Sequence, residues 1–374
     1  MKYYIIAGEA SGDLHGSNLI KELCKIDSNA SVRCWGGDKM EAAGATLVKH
    51  YRDLAFMGFV EVAKNLPTIF RNLAACKKDI LAFKPDALIL IDYPGFNLRI
   101  AAWARKQGLK IIYYISPQVW AWKENRVKAI KRDVDKMLVI LPFERSFYKK
   151  WDFEVEYVGH PLVEVIDDFK KGHPYGTRNR EQGTDKIIAL LPGSRKQEIL
   201  IKLPIMLEVA RRFPGYKFVV AKAPGLTTEF YDGLLKPYKN VSSVVNKTYE
   251  LLNGATAALV TSGTATLETA LFAVPEIICY KGNNISYQIA KRLIKIKFIG
   301  LVNLIMDKEV VKELIQDDLT ADKISIELKK LLEDPTRQAT LRKDYASLKN
   351  LLSEGGHASA NAARSIYTYL QEGH

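Results

Sequence analysis

Short apolar runs alternate with longer runs of helical period along nearly all of the 374 residues. The short runs at Lys2–Ala7, Val32–Trp35, Asp86–Ile91, Lys110–Ile115, Lys136–Leu141 and Val155–Val158 predict buried strands. After an interruption, Lys186–Leu191, Tyr216–Ala221, Ser242–Val245, Ala257–Val260 and Glu276–Tyr280 predict five more. Helical period marks Leu14–Lys25, Ile69–Phe83, Leu98–Lys106, Lys123–Arg132, Lys196–Phe213, Ala265–Phe272 and Ile285–Lys295. Strand–helix alternation of this kind implies parallel sheets joined by right-handed crossovers.

The interruption, Asp167 to Lys186, is polar and carries three glycines, one proline and no apolar period, which makes it the best linker. It divides six strands from five, and the chain is longer than one hydrophobic core normally supports. The expected fold class is therefore α/β, with two doubly wound, Rossmann-like domains facing a cleft. The first covers residues 1–168 and the second starts at 186. Beyond about Thr320 only helical pattern remains.

Composition sharpens this picture at one point. A hydrophobic fraction of 48% is ordinary for a soluble protein, but the formal net charge of +13 asks for an anionic partner. Nucleic acid, an acidic membrane surface and phosphorylated substrates all qualify. A nucleic-acid binder should show a recognisable motif and base-stacking aromatics on a basic sheet. Here the aromatics fall in strand cores and one amphipathic stretch, so no nucleic-acid partner is expected. Cys24, Cys34, Cys76 and Cys279 lie in apolar stretches without C-x-x-C spacing, as reduced core thiols of a cytosolic protein do. The amino terminus is too short for a signal-peptide core, and no apolar run approaches the ~18 residues of a spanning helix.

In doubly wound sheets ligands bind at the carboxyl ends of strands, and five such stretches stand out. GEASGDLHG, Gly8–Gly16, follows the first strand but matches neither G-x-G-x-x-G nor G-x-x-x-x-G-K-[ST]. In LLPGSRKQE, Pro192 and Gly193 break a strand, Ser194 can cap the next helix, and Arg195 lies in its first turn. That arrangement suits a diphosphate, and equally an ordinary strand–helix turn with a surface arginine. LVTSGTATLETAL ends a strand in Ser262, Gly263 and Thr264, a second anion cradle or a simple helix cap. Glu268, one turn further in, suits a ribose. Two such loops in one half favour a nucleoside diphosphate.

The fourth stretch, LILIDYPGFN, places Asp92 at the mouth of an apolar strand. There a carboxyl can act as a general base or can satisfy the turn's own N–H groups. The fifth, YYISPQVWAWKENRVKAIKR, sets Trp120 and Trp122 beside a basic helix with Lys123, Arg126 and Lys128. It reads as an interfacial anchor on anionic lipid, or as core tryptophans beside a solvated basic face. Tyr287–Phe298 is a second basic stretch of the same kind. Asp133-Val-Asp135 precedes its strand, where a metal–diphosphate pair should follow one, so it reads as helix-end charge. The six histidines are too dispersed for ligand spacing, and no metal or cofactor is expected. Of these, His15 and His160 lie in candidate loops.

These stretches, with MGFVEV at Met57–Val62, LPFE, VGHP and VNLIMDKEVVKELIQ, occur in the order found in a known family. From about Ile5 to Gln316 the chain resembles the lipid-A-disaccharide synthases, inverting glycosyltransferases of lipid A biosynthesis in Gram-negative bacteria. The resemblance implies a two-domain GT-B fold that joins UDP-2,3-diacylglucosamine to 2,3-diacylglucosamine 1-phosphate (lipid X) without a metal. The products are a β-1,6-linked disaccharide 1-phosphate and UDP. It also implies a cytoplasmic enzyme peripheral to the anionic inner membrane. The final helices, about 345–374, either return to the first domain, leaving 186–344 as the second, or swap with another subunit in a homodimer.

In this reading Gly193, Ser194, Arg195, Ser262, Gly263 and Thr264 hold the diphosphate and Glu268 holds the ribose. Asn303 touches the donor, and Asp92 deprotonates the acceptor's 6-hydroxyl. Ser11, Asp13 and His15 of the opening loop line the acceptor side, where its glycines admit a sugar or the 1-phosphate. Trp120, Trp122, Arg126 and Lys128, with Phe56, Phe59, Ile69, Phe70 and Leu73, are the expected membrane contacts. Many family members carry a second aspartate where this chain has Gly95, which leaves Asp92 the only acid in its turn. A UDP-N-acetylglucosamine 2-epimerase or a muropeptide glycosyltransferase is the rival on the same fold.

Overall fold

The computed structural model describes residues 1–54, 66–173, 186–223, 225–282 and 297–372. Outside them lie Phe56, Phe59, the Met57–Val62 run, the helix expected at Ile285–Lys295 with most of the second basic stretch, and most of the expected linker.

The chain divides into two compact units, Met1–Pro161 with Leu352–His374, and Leu162–Leu351. The first holds β1 (Lys2–Ala7), β2 (Ser31–Gly36), β3 (Thr46–His50), β4 (Ala87–Ile91), β5 (Ile111–Tyr114), β6 (Lys136–Val139) and β7 (Glu156–Tyr157). They form one parallel sheet in the order β3-β2-β1-β4-β5-β6-β7. The second holds β8 (Ile187–Leu191), β9 (Lys217–Lys222), β10 (Val241–Val245), β11 (Ala257–Thr261), β12 (Glu276–Tyr280) and β13 (Lys312–Ile315). Its order, β10-β9-β8-β11-β12-β13, repeats the same doubly wound plan.

The central strands are buried along nearly all their length, as strands covered on both faces are: ALILI in β4 and AALVT in β11 are buried throughout, and β1 and β8 at all but their first residue. The two strands missed by apolar pattern, β3 and β13, are both sheet edges. Their sequences TLVKH and KELI are half-buried and mixed in polarity, because an edge strand has water on one side.

In the first unit the core on one face of the sheet joins β1 and β4 to Leu19, Ile20 and Leu23 of the helix Ala10–Ile26. It also takes in Ala362, Ala363, Ile366 and Leu370 of the last helix, Ala358–Gln371. Their spacing of three and four residues is the apolar stripe that lets the carboxyl-terminal helix dock there. The units change over inside the helix Pro335–Ser353 and at the start of the helix Pro161–Gly172. The latter runs on to Gly172 and so takes up the beginning of the expected linker, with Leu162 and Ile166 buried ahead of it. Cys34, Cys76 and Cys279 are buried, whereas Cys24 is exposed and leaves the set of core thiols.

Candidate active site

In each sheet the strand order reverses between two central neighbours, β1 with β4 and β8 with β11. The crevice at such a point, beyond the carboxyl ends, is where doubly wound sheets bind ligands. Four of the five stretches singled out from the sequence supply the chain at these two points or beside them.

At the first point β4 runs into Asp92 and Tyr93, both left-handed, with φ of +41° and +49°. Aspartate tolerates that region and tyrosine does not favour it, so the turn stores strain. Asn97, fully buried in the following helix Pro94–Lys106, holds the turn shut. Its Nδ2 donates to the carbonyls of Ile6 (3.4 Å), Ile91 (3.2 Å) and Asp92 (2.8 Å). Tyr113 donates a further hydrogen bond to the Asp92 carbonyl at 2.5 Å. The Tyr93 ring lies across Gly8, where an added Cβ would fall 2.3 Å from the nearest ring carbon. Burial, and after it the negative Glu9, push the Asp92 carboxyl up to about 7, against the Tyr93 backbone N–H. A carboxyl poised near neutrality at a strand mouth has the property a general base requires.

The opening loop behaves differently from its expectation. The helix begins at Ala10, so Gly12 and Gly16 lie on its buried face. Cβ atoms there would come 3.0 Å from the Ala7 Cβ and 2.7 Å from the Met40 sulfur. These glycines let the helix pack on its own unit, and the idea that they admit a ligand's phosphate is corrected. Asp13 is corrected too. It is 3% exposed and accepts from the N–H groups of Lys39 (3.2 Å) and Met40 (3.0 Å), capping the short helix Asp38–Ala42. Ser11 is exposed in the helix's first turn. His15 is buried with no hydrogen-bond partner for Nδ1 among the described residues, and burial lowers it to about 4. His160, held down to about 3 by burial and by His15, is likewise neutral at neutral pH.

At the second point β8 ends in Leu191, and Gly193 takes a φ of +118° that favours glycine. Arg195, not Ser194, is the N-cap residue of the helix Lys196–Arg212, and neither side chain caps it. The Arg195 guanidinium, largely exposed, pairs with Glu198 at 3.5 Å. Across the pairing, β11 ends at Thr261 and the helix Thr264–Leu271 starts from Gly263, with a φ of +142°. Its N-cap residue, Gly263, has no side chain to cap it, and among the described residues neither Ser262 nor Thr264 does so. Ser262 Oγ instead donates to the Ile299 carbonyl at 3.1 Å, while Thr264 is exposed. At the carboxyl end of one strand pair, the first N–H groups of both helices thus receive no side-chain cap from their N-cap residues. Glu268 accepts from the Tyr249 hydroxyl at 3.0 Å, and burial raises its carboxyl above the usual range.

Asn303 is withdrawn as a donor contact. It is fully buried in the helix Leu301–Met306, and all its polar atoms are engaged. Nδ2 donates to the Val311 carbonyl and Glu313 Oε1, both at 2.9 Å, and Oδ1 accepts from Val310 (2.8 Å) and Val311 (2.9 Å). Glu313 in turn accepts from the N–H groups of Ile299 and Gly300, each at 3.0 Å. Asn303 therefore shapes the segment that carries the Ser262 contact.

Trp120 is also reassigned, because its Nε1 is buried and its ring meets Phe143 edge-on with centroids 5.0 Å apart. Trp122 is exposed with Lys123 over its ring, and Lys128 is exposed beyond it, while Arg126 is half-buried. Phe70 is exposed, Ile69 half-buried and Leu73 part of the core. Asp133 and Asp135 form ion pairs with Arg132 and Arg105.

A family model described as lipid-A-disaccharide synthetase matches residues 3–367. The chain belongs to the lipid-A-disaccharide synthase family. It is 40% identical over 361 residues to the lipid-A-disaccharide synthase of Geobacter metallireducens, covering 94% of this chain and 93% of that one. It is 38% identical to lipid-A-disaccharide synthase 1 of Legionella pneumophila, covering 93% and 92%. Among solved structures, the fold is shared with UDP-GlcNAc 2-epimerase from Neisseria meningitidis bound to UDP-GlcNAc, with a TM-score of 0.69 at 13% identity over 100% of both chains. It is also shared with the glycotransferase of kitacinnamycin, with a TM-score of 0.68 at 16% identity over 99% of both chains. Identities this low speak to fold alone, so the epimerase reading is not favoured over the family.

Sequence reasoning missed Asn97, Glu313, Tyr249 and Lys202. The first two lie inside the quoted motifs IDYPGFN and VNLIMDKEVVKELIQ. Lys202 had one signal, a lysine between Ile199 and Leu203 on the apolar face of its helix.

Proposed function

We propose that this lipid-A-disaccharide synthase uses Asp92 as its base and the β8 and β11 loops as its diphosphate site. The donor is UDP-2,3-diacylglucosamine and the acceptor is 2,3-diacylglucosamine 1-phosphate. Asp92 takes the proton of the acceptor's 6-hydroxyl while that oxygen attacks the anomeric carbon from the face opposite the nucleotide. The bond from the anomeric carbon to the diphosphate oxygen breaks, and its electron pair leaves with UDP. Arg195 and the helix starts at Lys196 and Thr264 stabilise that charge, with Gly193, Ser194, Ser262 and Gly263 shaping the pocket. Glu268 holds the ribose, and the acceptor meets Ser11 and neutral His15.

The observation that carries this reading is the β8–β11 pairing, beyond which two helices start without a cap from their N-cap side chains, one of them at Arg195. Measuring UDP affinity tests it. Arg195→Ala should weaken UDP by about tenfold, in keeping with one charge-assisted hydrogen-bonding group, about 1.4 kcal/mol. Unchanged affinity would remove the site.

The reading extends to location. Among the described residues no helix is long and apolar enough to cross a membrane. Trp122, Lys128 and Phe70, exposed on a chain of net charge +13, support peripheral contact with anionic lipid.

A further inference from the structure

Lys202 lies two turns into the helix Lys196–Arg212 and is 3% exposed. Its Nζ donates to the hydroxyl of Thr261, the last residue of β11, directly before Ser262. One turn back on the same helix, Glu198 brings Oε2 to 3.7 Å from that ammonium and Oε1 to 3.5 Å from Arg195. The same carboxylate lies against the bare Cα of Gly193, where a Cβ would come 2.6 Å from Oε2. Gly193, Arg195, Glu198, Lys202 and Thr261 thus form one cluster that ties the β8 loop to the β11 loop.

A buried ammonium is an expensive tie. Removing it from water costs several kcal/mol in general, and one carboxylate at 3.7 Å offsets only part of that. A methionine would fill the same volume without the penalty. The position therefore makes sense if it serves binding rather than folding.

We propose that Lys202 is a positioning residue of the diphosphate site, clamping Thr261 and Glu198 so that the two loops stand at the spacing a nucleoside diphosphate requires. This rests on the nucleotide reading of the β8 and β11 loops. Thr261 fixes where the Ser262–Thr264 backbone begins, and Glu198, held between two cations, aims Arg195. Lys202 acts through them and not on the substrate.

The test compares UDP with uridine as ligands. Lys202→Met should raise the Kd for UDP about tenfold, about 1.4 kcal/mol, and the KM for the UDP-sugar with it. Uridine affinity and the acceptor's KM should stay the same, and Tm should hold or rise. Lys202→Gln keeps a donor towards Thr261 and should remain within about threefold of the parent for UDP. Equal weakening of UDP and uridine with a lower Tm overturns the proposal, since a merely structural lysine behaves so. A Lys202→Gln as weak as Lys202→Met overturns it as well. If Arg195→Ala weakens UDP while Lys202→Met leaves it unchanged, Lys202 alone falls. If neither does, the nucleotide reading itself has failed.

Discussion

Replacing Asp92 with asparagine separates the two things its environment does. Raising a carboxyl from 3.8 to about 7 disfavours its ionised form by about 4 kcal/mol. Burial at the mouth of β4 is the larger cause and Glu9 the smaller. The base must be unprotonated to act. The rate kcat/KM should therefore climb through a midpoint of about 7 and level off roughly one pH unit higher. Glu9→Gln should move that midpoint towards acid without bringing it to 3.8, because burial remains.

Asp92→Asn keeps the shape, and asparagine tolerates the left-handed φ of +41°, so the turn survives. The loss is the base, expected to cost about 10²–10⁴ in kcat. Stability should move the other way. Asp92 binds its proton more tightly folded than unfolded, so its contribution is full below the unfolded value and is lost as pH rises through about 7. Above that, the asparagine variant should have the higher Tm, by an amount no greater than about 4 kcal/mol allows, and the difference should vanish in acid. Turnover with UDP-2,3-diacylglucosamine and lipid X, measured alongside thermal melts, decides it. Turnover within about tenfold of the parent, or a flat kcat/KM profile across neutrality, refutes the base assignment.

Further outcomes follow from single observations. Ser11→Ala and His15→Ala should raise the KM for lipid X and leave that for the UDP-sugar alone, and the reverse split would remove the acceptor assignment. Glu276 is fully buried with neither oxygen hydrogen-bonded among the described residues, and burial drives its carboxyl well above the usual range. Glu276→Met should therefore stabilise the fold by about 1–3 kcal/mol at neutral pH, a gain that shrinks in acid, where the glutamate is protonated in both states. Asn303→Ala removes four hydrogen bonds and should lower stability by roughly 2–4 kcal/mol, raising the KM for UDP-sugar through the displaced Ile299 segment. Phe70→Ser should reduce co-flotation with vesicles containing anionic lipid while kcat on detergent-dispersed substrate holds.

The sequence alone determined the central strands, the two-unit plan and the loops at the strand mouths. Those features are written in local pattern, where the shortness of an apolar run and its flanking glycine, proline or aspartate select a buried strand over a helix. The family was legible too, because SPQVWAW and LLPGSR are contiguous. Tertiary structure decided what each polar side chain does. Asp13 and Asn303 have the residue types of ligand contacts, yet Asp13 is engaged by backbone groups more than twenty residues away and Asn303 by those of the following turn and strand. Trp120 turns to Phe143, and the glycines at 12 and 16 face Ala7 and Met40 instead of solvent. The edge strands β3 and β13 and the buried Lys202 belong with these. A hydrogen bond or a desolvated charge depends on which groups the folded chain brings within about 3 Å, and no periodicity along the sequence records that.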